Sequence, residues 1–361
     1  MKDRIVVLGA GYAGLAAAKR AARRLRRTGA RVTLVNATDR FVERVRLHQL
    51  AAGQRLPDLP LAGLLSGTGI ELVVARVVGI DPVARTVGLD APPYTVGYDV
   101  LVYALGSGSD AGAVPGAREY AYPLATGDEA ALLRARLASG HGPVTVVGGG
   151  LTGIEAAAEF AAAGLRAELL SAGRAGPGLS ARGRRHVHRV LARMGVSVHE
   201  HARVTGVGPE SVLLADGAEL RAGTVVWAAG FRVPGLAAAA GLATDEHGRM
   251  LVDRTLRSVS HPDVFGIGDA AAVGHATRMA CQTGLPMGVC TGRAVADLLT
   301  GREPRPARFR YVWQNVSLGR HDGVTQFTRA DDSPLDTVMT GPASAAFKET
   351  ITRGTVWTMR H

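Results

Sequence analysis

Six glycines in two equal spacings are the first residues of this chain that could do chemistry. Gly9, Gly11 and Gly14 stand as G-x-G-x-x-G, and Gly148, Gly150 and Gly153 repeat the spacing. In such a turn the first glycine allows a tight bend and the second lets backbone approach a pyrophosphate. The third lets helix and strand pack closely, and the helix N-terminus faces the negative charge. Two copies imply two dinucleotides, able to exchange electrons. Asp269, in VFGIGDAA, ends an apolar run. An acid there, beside a helix start, can fix a sugar or ribityl hydroxyl, or serve only as an N-cap. Glu155 follows Gly153 by two residues, where a carboxylate complements the helix dipole.

The elements that must position these residues can be read in order. An apolar β-branched run precedes Gly9, and an Ala/Arg-rich helix is expected over 15–27. The next strand, 31–35, ends at Asn36. An acid about 20 positions after the glycines usually binds ribose, and an amide can still do so as donor and acceptor. Residues 41–53 read as one helix carrying Arg44, Arg46 and His48, on a solvated face or passing over a bound cofactor. Segments 71–78 and 86–89 read as an antiparallel excursion. Segment 98–106 reads as a buried parallel strand whose ending, Ala104-x-Gly106, brings backbone to the carboxyl edge where open sheets bind ligands. After a linker at 110–122 and a helix at 126–137, the pattern restarts with strand 144–147, helix 154–163 and strand 166–170. TVVWAAG, ending at Gly230, echoes YDVLVYALG. The duplication is the most specific signal in the chain. Ser171 stands where an acid would exclude a 2′-phosphate, and Arg174 could bind one, while nearby Glu168 keeps NADH open beside NADPH. Further on, short strands are expected at 251–253 and 264–268 and a helix from Ala270. The tail reads as strands at 311–318 and 324–327 and a helix at 343–359.

With 361 residues the chain can form two or three domains. Its 47% apolar and 20% charged residues are ordinary for a globular protein. The net charge of +11 is almost all arginine, since Lys2, Lys19 and Lys348 are the only lysines. That suits either a solvated surface or attraction to anionic cofactors or an anionic membrane face. The arginines are scattered without a basic–aromatic block, so no nucleic-acid partner is expected. Cys281 and Cys290 form no CxxC and read as small core residues in a reducing, cytoplasmic protein. The basic start could pass for a signal peptide, but the fingerprint strand needs that segment kept. No run of about 18 uncharged apolar residues would span a membrane.

In order, GAGYAG, YALGS, GGGLTGIE and GIGDAA make the chain resemble, over roughly residues 1–300, the two-dinucleotide-binding flavoprotein superfamily. That superfamily has the pyridine nucleotide-disulfide oxidoreductase fold. The resemblance implies an α/β fold with two Rossmann-like domains, the NAD(P) domain (113–235) inserted in the FAD domain (1–112 and 236–303). A small α+β C-terminal domain (304–361) follows. It implies FAD contacts at Gly9, Ala10, Gly11, Tyr12, Ala13, Gly14, Asn36, Arg44, Val77, Ala104, Gly106, Gly268 and Asp269. It implies NAD(P)H contacts at Gly148, Gly150, Leu151, Thr152, Gly153 and Gly230, joined by Ser171 and Arg174.

The chain is most similar within that group to type II NADH dehydrogenases, which reduce quinones. Disulfide reductases carry their cysteine pair in the region that is 41–53 here, and no cysteine is present there. The quinone motif A-Q-x-A-x-Q-x-G is represented by residues 281–288, where Gln282 and Gly288 match and Pro286 replaces the second glutamine. The resemblance implies flavin contacts from Gln282 and Thr283, a proton relay at Glu155, a cation at Lys348 beside the flavin, and His48 as proton donor to the acceptor. The implied reaction passes a hydride from NAD(P)H to FAD and two electrons on to a quinone-like small molecule. A flavoenzyme of specialised metabolism, or a redox sensor like apoptosis-inducing factor, shares the same fingerprints. The short tail, with Ala345, Phe347, Ile351, Val356 and Trp357, implies at most loose peripheral contact with the cytoplasmic membrane face. A homodimer is compatible with this reading.

Overall fold

Two five-stranded parallel sheets carry the two fingerprints, and their topologies are equivalent. The computed structural model describes residues 3–140, 142–274 and 278–360. The first sheet runs Val264–Gly266, Val100–Tyr103, Arg4–Leu8, Arg31–Asn36, Glu71–Val74. The second runs Ala121–Pro123, Thr224–Trp227, Val144–Val147, Ala167–Leu170, Ser197–His199. In each, the fingerprint strand is central, with Val7 opposite Leu34 and Val102, and Val146 opposite Leu169 and Val226. Both central strands are buried on both faces over almost their whole length, as a sheet covered by helices requires. The strand Val264–Gly266 returns to the first sheet after the whole second sheet has been built.

The equivalence extends to features the sequence reading assigned differently. Glu71–Val74 is not part of an antiparallel excursion but the outer parallel strand beside Arg31–Asn36. The excursion proper is Val77–Asp81, Thr86–Leu89 and Thr95–Gly97. Its counterpart in the second copy is Val204–Val207, Ser211–Leu214 and Glu219–Arg221.

The expected helix at 41–53 is a 3-10 turn, Arg44–Arg46, followed by Leu47–Ala51. Arg46 leaves helical geometry at φ −121°, and its guanidinium meets Glu43 at 3.1 Å and Glu349 at 2.9 Å. No helix starts at Ala270. Gly268–Ala270 is a 3-10 turn leading into the short strand Ala271–Ala272, which pairs with Met250–Leu251. The helix expected at 126–137 is Gly127–Ala138, closed by a capping box between Thr126 and Glu129.

The first fingerprint helix, Tyr12–Leu25, lies against Cys281–Leu299. A Cβ on Gly288 would fall 2.1 Å from the Ala13 carbonyl oxygen, and one on Gly292 2.6 Å from that of Ala17. Glycines four apart thus let the two backbones approach. Cys281 is exposed at the start of that helix and so is not a core residue, whereas Cys290 is partly buried against the first core. The chain ends in an antiparallel sheet, Trp313–Ser317, Gly323–Thr328, Pro334–Thr340, and the helix Pro342–Arg360. The third strand was absent from the sequence reading because its residues, none of them fully buried, show no strong apolar alternation.

Candidate functional site

The two glycine loops are built alike to atomic detail. In the first, Gly9 has φ +95°, and a Cβ there would meet the Ala104 carbonyl oxygen at 2.4 Å. A Cβ on Gly14 would sit 1.9 Å from the Gly9 carbonyl oxygen, yet Gly11 has nothing within 4 Å. In the second, Gly148 has φ +126° and would meet Ala228 at 2.6 Å, while Gly153 would meet the Gly148 carbonyl oxygen at 1.8 Å. Gly150 again faces open space. So in each loop two glycines are required by the protein's own backbone and the third is not. Ala104 and Ala228, in YALG and WAAG, close over the first glycine, which is why those segments echo one another. Gly106 and Gly230 adopt positive φ, +68° and +73°, just beyond.

Around the first loop, Asn36 is committed to the scaffold. Its Oδ1 accepts the Ala10 N–H at 2.9 Å, and its Nδ2 donates to the Thr38 carbonyl at 2.8 Å. Ala13 lies beneath the loop, 3.3 Å from a Cβ placed on Gly268. Asp269 accepts from Ser107 Oγ at 2.7 Å, and Arg44 approaches the same carboxylate at 3.5 Å. Asp269 begins no helix of its own, since Gly268–Ala270 is a 3-10 turn, but it lines a small pocket with Ala280 and Thr283 at the start of the helix Cys281–Leu299. Two buried polar atoms near this loop have no partner among the described residues: Tyr12 OH and Gln282 Nε2. Gln282 uses its Oε1 to accept from Val312 N–H at 3.3 Å. Buried orphans of this kind call for a ligand. With the open face of Gly11 they fit a bound dinucleotide. Thr283 is buried and turns its hydroxyl to the Ala280 carbonyl at 3.2 Å. Val77 is buried in the core beside Val35.

Around the second loop, Leu151 and Thr152 open the second fingerprint helix, Leu151–Ala162. Ser171 is buried, and its Oγ would lie 2.1 Å from a Cβ on Gly149. Glu168 accepts from Thr145 Oγ1 at 2.5 Å and faces His199 at 3.6 Å, so it is occupied within its sheet. Arg174 is exposed.

Glu155, Lys348 and His48 converge on one buried cluster around Ser317, a residue the sequence reading missed. Glu155 Oε1 accepts from the Ser317 N–H at 2.8 Å, from Ser317 Oγ at 3.0 Å and from Lys348 Nζ. Lys348 Nζ also lies 3.2 Å from Ser317 Oγ, and His48 Nε2 lies 3.4 Å from it. Burial pushes the Glu155 carboxyl up, but Lys348, His48 and the Ser317 N–H together hold it below the usual carboxylate value. Burial pulls His48 down to about 3 against the opposing field of Glu155, with Lys348 adding to the fall. The imidazole is neutral, so its 3.8 Å approach to Glu155 is no ion pair.

One turn further, buried Glu159 accepts from Arg320 at 2.9 Å and from Gln54. Two carboxylates four apart in the Ala-rich helix IEAAAEFAA were the available signal, since carboxylates on a buried face must be paired.

Lys348 and Ser317 form part of the wall of a cavity of about 640 Å³ between the C-terminal helix, residues 43–57 and the turn at 317–320. Among the described residues no helix is long and apolar enough to cross a membrane.

Paired fingerprints, the second of which carries Glu155 into a buried charge cluster, fit the class of flavin-dependent, pyridine-nucleotide-linked oxidoreductases. The chain belongs to the pyridine nucleotide-disulphide oxidoreductase family, whose model matches residues 3–288. It is an oxidoreductase using FAD and NAD(P)H. An NADH dehydrogenase-like protein of Mycobacterium tuberculosis is 33% identical over 353 residues, covering 89% of this chain and 87% of the relative. A type II NADH:quinone oxidoreductase of Staphylococcus saprophyticus is 26% identical over 368 residues, covering 90% and 89%. Among solved structures, the sulfide:quinone oxidoreductase of Aquifex aeolicus has the same fold, with a TM-score of 0.83, 21% identity, and coverage of 99% of this chain and 91% of that one.

Proposed function

We propose that this oxidoreductase hands the electrons of NAD(P)H to a quinone-like small molecule in the cavity walled by Lys348 and Ser317. The observation that carries this reading is the placement of a buried, hydrogen-bonded charge cluster against a cavity of about 640 Å³, within the range of small-molecule sites. The name of the staphylococcal relative supports the same class of acceptor.

When bound, FAD supplies the relay between a two-electron donor and the acceptor. The chain's own residues do the rest. The loops at Gly11 and Gly150 hold pyrophosphates. Glu155 fixes the Lys348 ammonium, and Ser317 presents a hydroxyl beside it. An ammonium and a hydroxyl at one wall can stabilise negative charge developing on an acceptor oxygen. A proton given up at Ser317 Oγ or Lys348 Nζ can be made good through His48 Nε2. Residues 41–53 hold no cysteine for a thiol acceptor.

Anaerobic stopped-flow tests the proposal. The flavin is reduced with NADH and, separately, NADPH, and its reoxidation is followed with naphthoquinones, ferricyanide and oxygen. Fast reoxidation by the quinones is expected. Reoxidation by oxygen alone would rule the acceptor class out, and a purified protein that bound no flavin would end the reading altogether.

A further inference from the structure

Six cationic side chains line the same cavity: Arg46, Arg55, Arg320, Lys348, Arg353 and Arg360. Only two acids, Glu43 and Glu349, line it with them. Counting the acids behind the wall sharpens the imbalance. Glu155 takes Lys348, Glu159 takes Arg320 at 2.9 Å, Glu349 is shared by Arg46 at 2.9 Å and Arg353 at 2.7 Å, and Glu43 meets Arg46 at 3.1 Å. Six cations against four carboxylates leave an excess of two positive charges. Arg55 and Arg360 have no ion pair among the described residues, and both are exposed. Apolar surface completes the cavity: Trp357, which is 63% exposed, with Leu56 and Val356. A flat ring suits the indole and the aliphatic wall. A permanent anion suits the two arginines, whose forks match carboxylate and sulfonate-like oxygens.

We infer that the cavity takes an anionic aromatic acceptor, a quinone-type ring bearing a carboxylate or comparable acidic group, with Arg55 and Arg360 as its specificity-determining residues. The inference rests on the quinone-like acceptor proposed above and narrows it to charged, water-soluble members. A neutral, lipid-tailed ring would leave the excess positive charge of the cavity to solvent alone. An anionic ring supplies a counter-charge and keeps its redox-active carbonyls free for Lys348 and Ser317.

The test is calorimetric titration of the oxidised, FAD-loaded enzyme with anthraquinone-2-sulfonate and, in parallel, neutral 2-(hydroxymethyl)anthraquinone. At low salt the sulfonate is expected to bind about tenfold tighter or more. That ratio should shrink as salt is raised, and should collapse in Arg55→Gln/Arg360→Gln, with flavin content as the check on folding. Should the double variant not fold, the salt dependence of the native ratio carries the test. Equal affinities, or a ratio indifferent to salt and to both substitutions, would overturn the inference. So would phosphatidylglycerol vesicles binding the enzyme and displacing the sulfonate, since the arginines would then read a lipid surface. If neutral naphthoquinone reoxidises the flavin while the sulfonate fails to bind, the narrowing is wrong and the quinone-like acceptor stands. If no quinone reoxidises the flavin, the acceptor assignment itself falls, and the ligand class with it.

Discussion

Glu155 and Lys348 are each other's main reason for being charged in a buried place. Lys348→Met leaves a carboxylate in apolar surroundings, and Glu155→Gln strands the ammonium. Breaking one side of such a pair costs about 3–5 kcal/mol, whereas replacing both members is often close to neutral. Urea unfolding of the FAD-loaded protein should therefore show two destabilised single variants and a Glu155→Gln/Lys348→Met double variant that regains most of the loss. Simple addition of the two losses would show that the groups do not depend on one another.

His48 gives this cluster a pH signature. Folded, its pKa is about 3, against 6.5 in an unfolded chain. Between those values the unfolded chain binds a proton that the folded one does not, so stability falls as the pH is lowered through the window. The slope is at most about 1.4 kcal/mol per pH unit. Glu155, held below its ordinary 4.5, adds a further loss that begins as pH falls below 4.5 and is complete once it has passed the lower folded value. The drop in thermal midpoint between about pH 7 and about pH 4 should be smaller in His48→Gln than in the native protein. Equal drops would mean that the imidazole is not held neutral. The resemblance put Glu155, Lys348 and His48 at one redox site, but neither their direct contacts nor Ser317 was legible in the sequence. Glu155, His48 and Lys348 each drew notice, but Ser317 lies 162 residues from Glu155 and 269 from His48, and Lys348 lies 193 from Glu155. Only the tertiary fold brings them together.

At the scale of elements, the glycine loops were legible because their demand is local: a spacing, a preceding strand and a following helix. What the spacing could not reveal is which glycine serves the fold and which serves the ligand. Gly11 and Gly150 have ordinary φ, −70° and −73°, and open space beyond their Cα atoms. Alanine fits both in the protein alone, so Gly11→Ala and Gly150→Ala should each change unfolding stability by about 0.5 kcal/mol or less. A methyl in the ligand's path costs about 1–3 kcal/mol, roughly tenfold or more in affinity. Gly11→Ala should therefore lower flavin occupancy, while Gly150→Ala should keep the flavin and raise the NAD(P)H concentration needed to reduce it. Gly148 is a poorer probe of the second site, because a Cβ there meets Ala228 at 2.6 Å and would disturb the strand itself. Normal NAD(P)H dependence in Gly150→Ala would remove the second loop from the nucleotide site. The short helix at Leu47–Ala51 was harder to read, because a tertiary ion pair from Arg46 to Glu349 draws on a residue far away in the sequence.

Across the whole molecule, the C-terminal segment works as a clamp on both fingerprint units, and this long-range role had no local sequence signal. Its sheet holds the second unit, where Gln326 Oε1 accepts from Ser180 N–H at 2.9 Å and Asp322 meets His186 at 2.7 Å. Its helix holds the first. Glu349 reaches Arg46, and Lys19, on the first fingerprint helix, donates to the Met359 carbonyl at 2.6 Å and to the Leu64 carbonyl at 3.1 Å. The Met359 carbonyl belongs to the last turn of its helix, where carbonyls lack intrahelical partners and a cation is favoured by the dipole. Lys19 thus caps a helix 340 residues away. Burial lowers its pKa, so the ammonium is partly desolvated where it donates these bonds. Hydrogen bonds to a charged group contribute about 1.5–3 kcal/mol. Lys19→Met keeps the aliphatic stem and removes the donors, so amide exchange should quicken in residues 352–360 while the central strand at 144–147 stays as slow as before. A uniform acceleration would make Lys19 a general stabiliser instead of a local cap, and unchanged exchange at 352–360 would mean that solvent already satisfies those carbonyls.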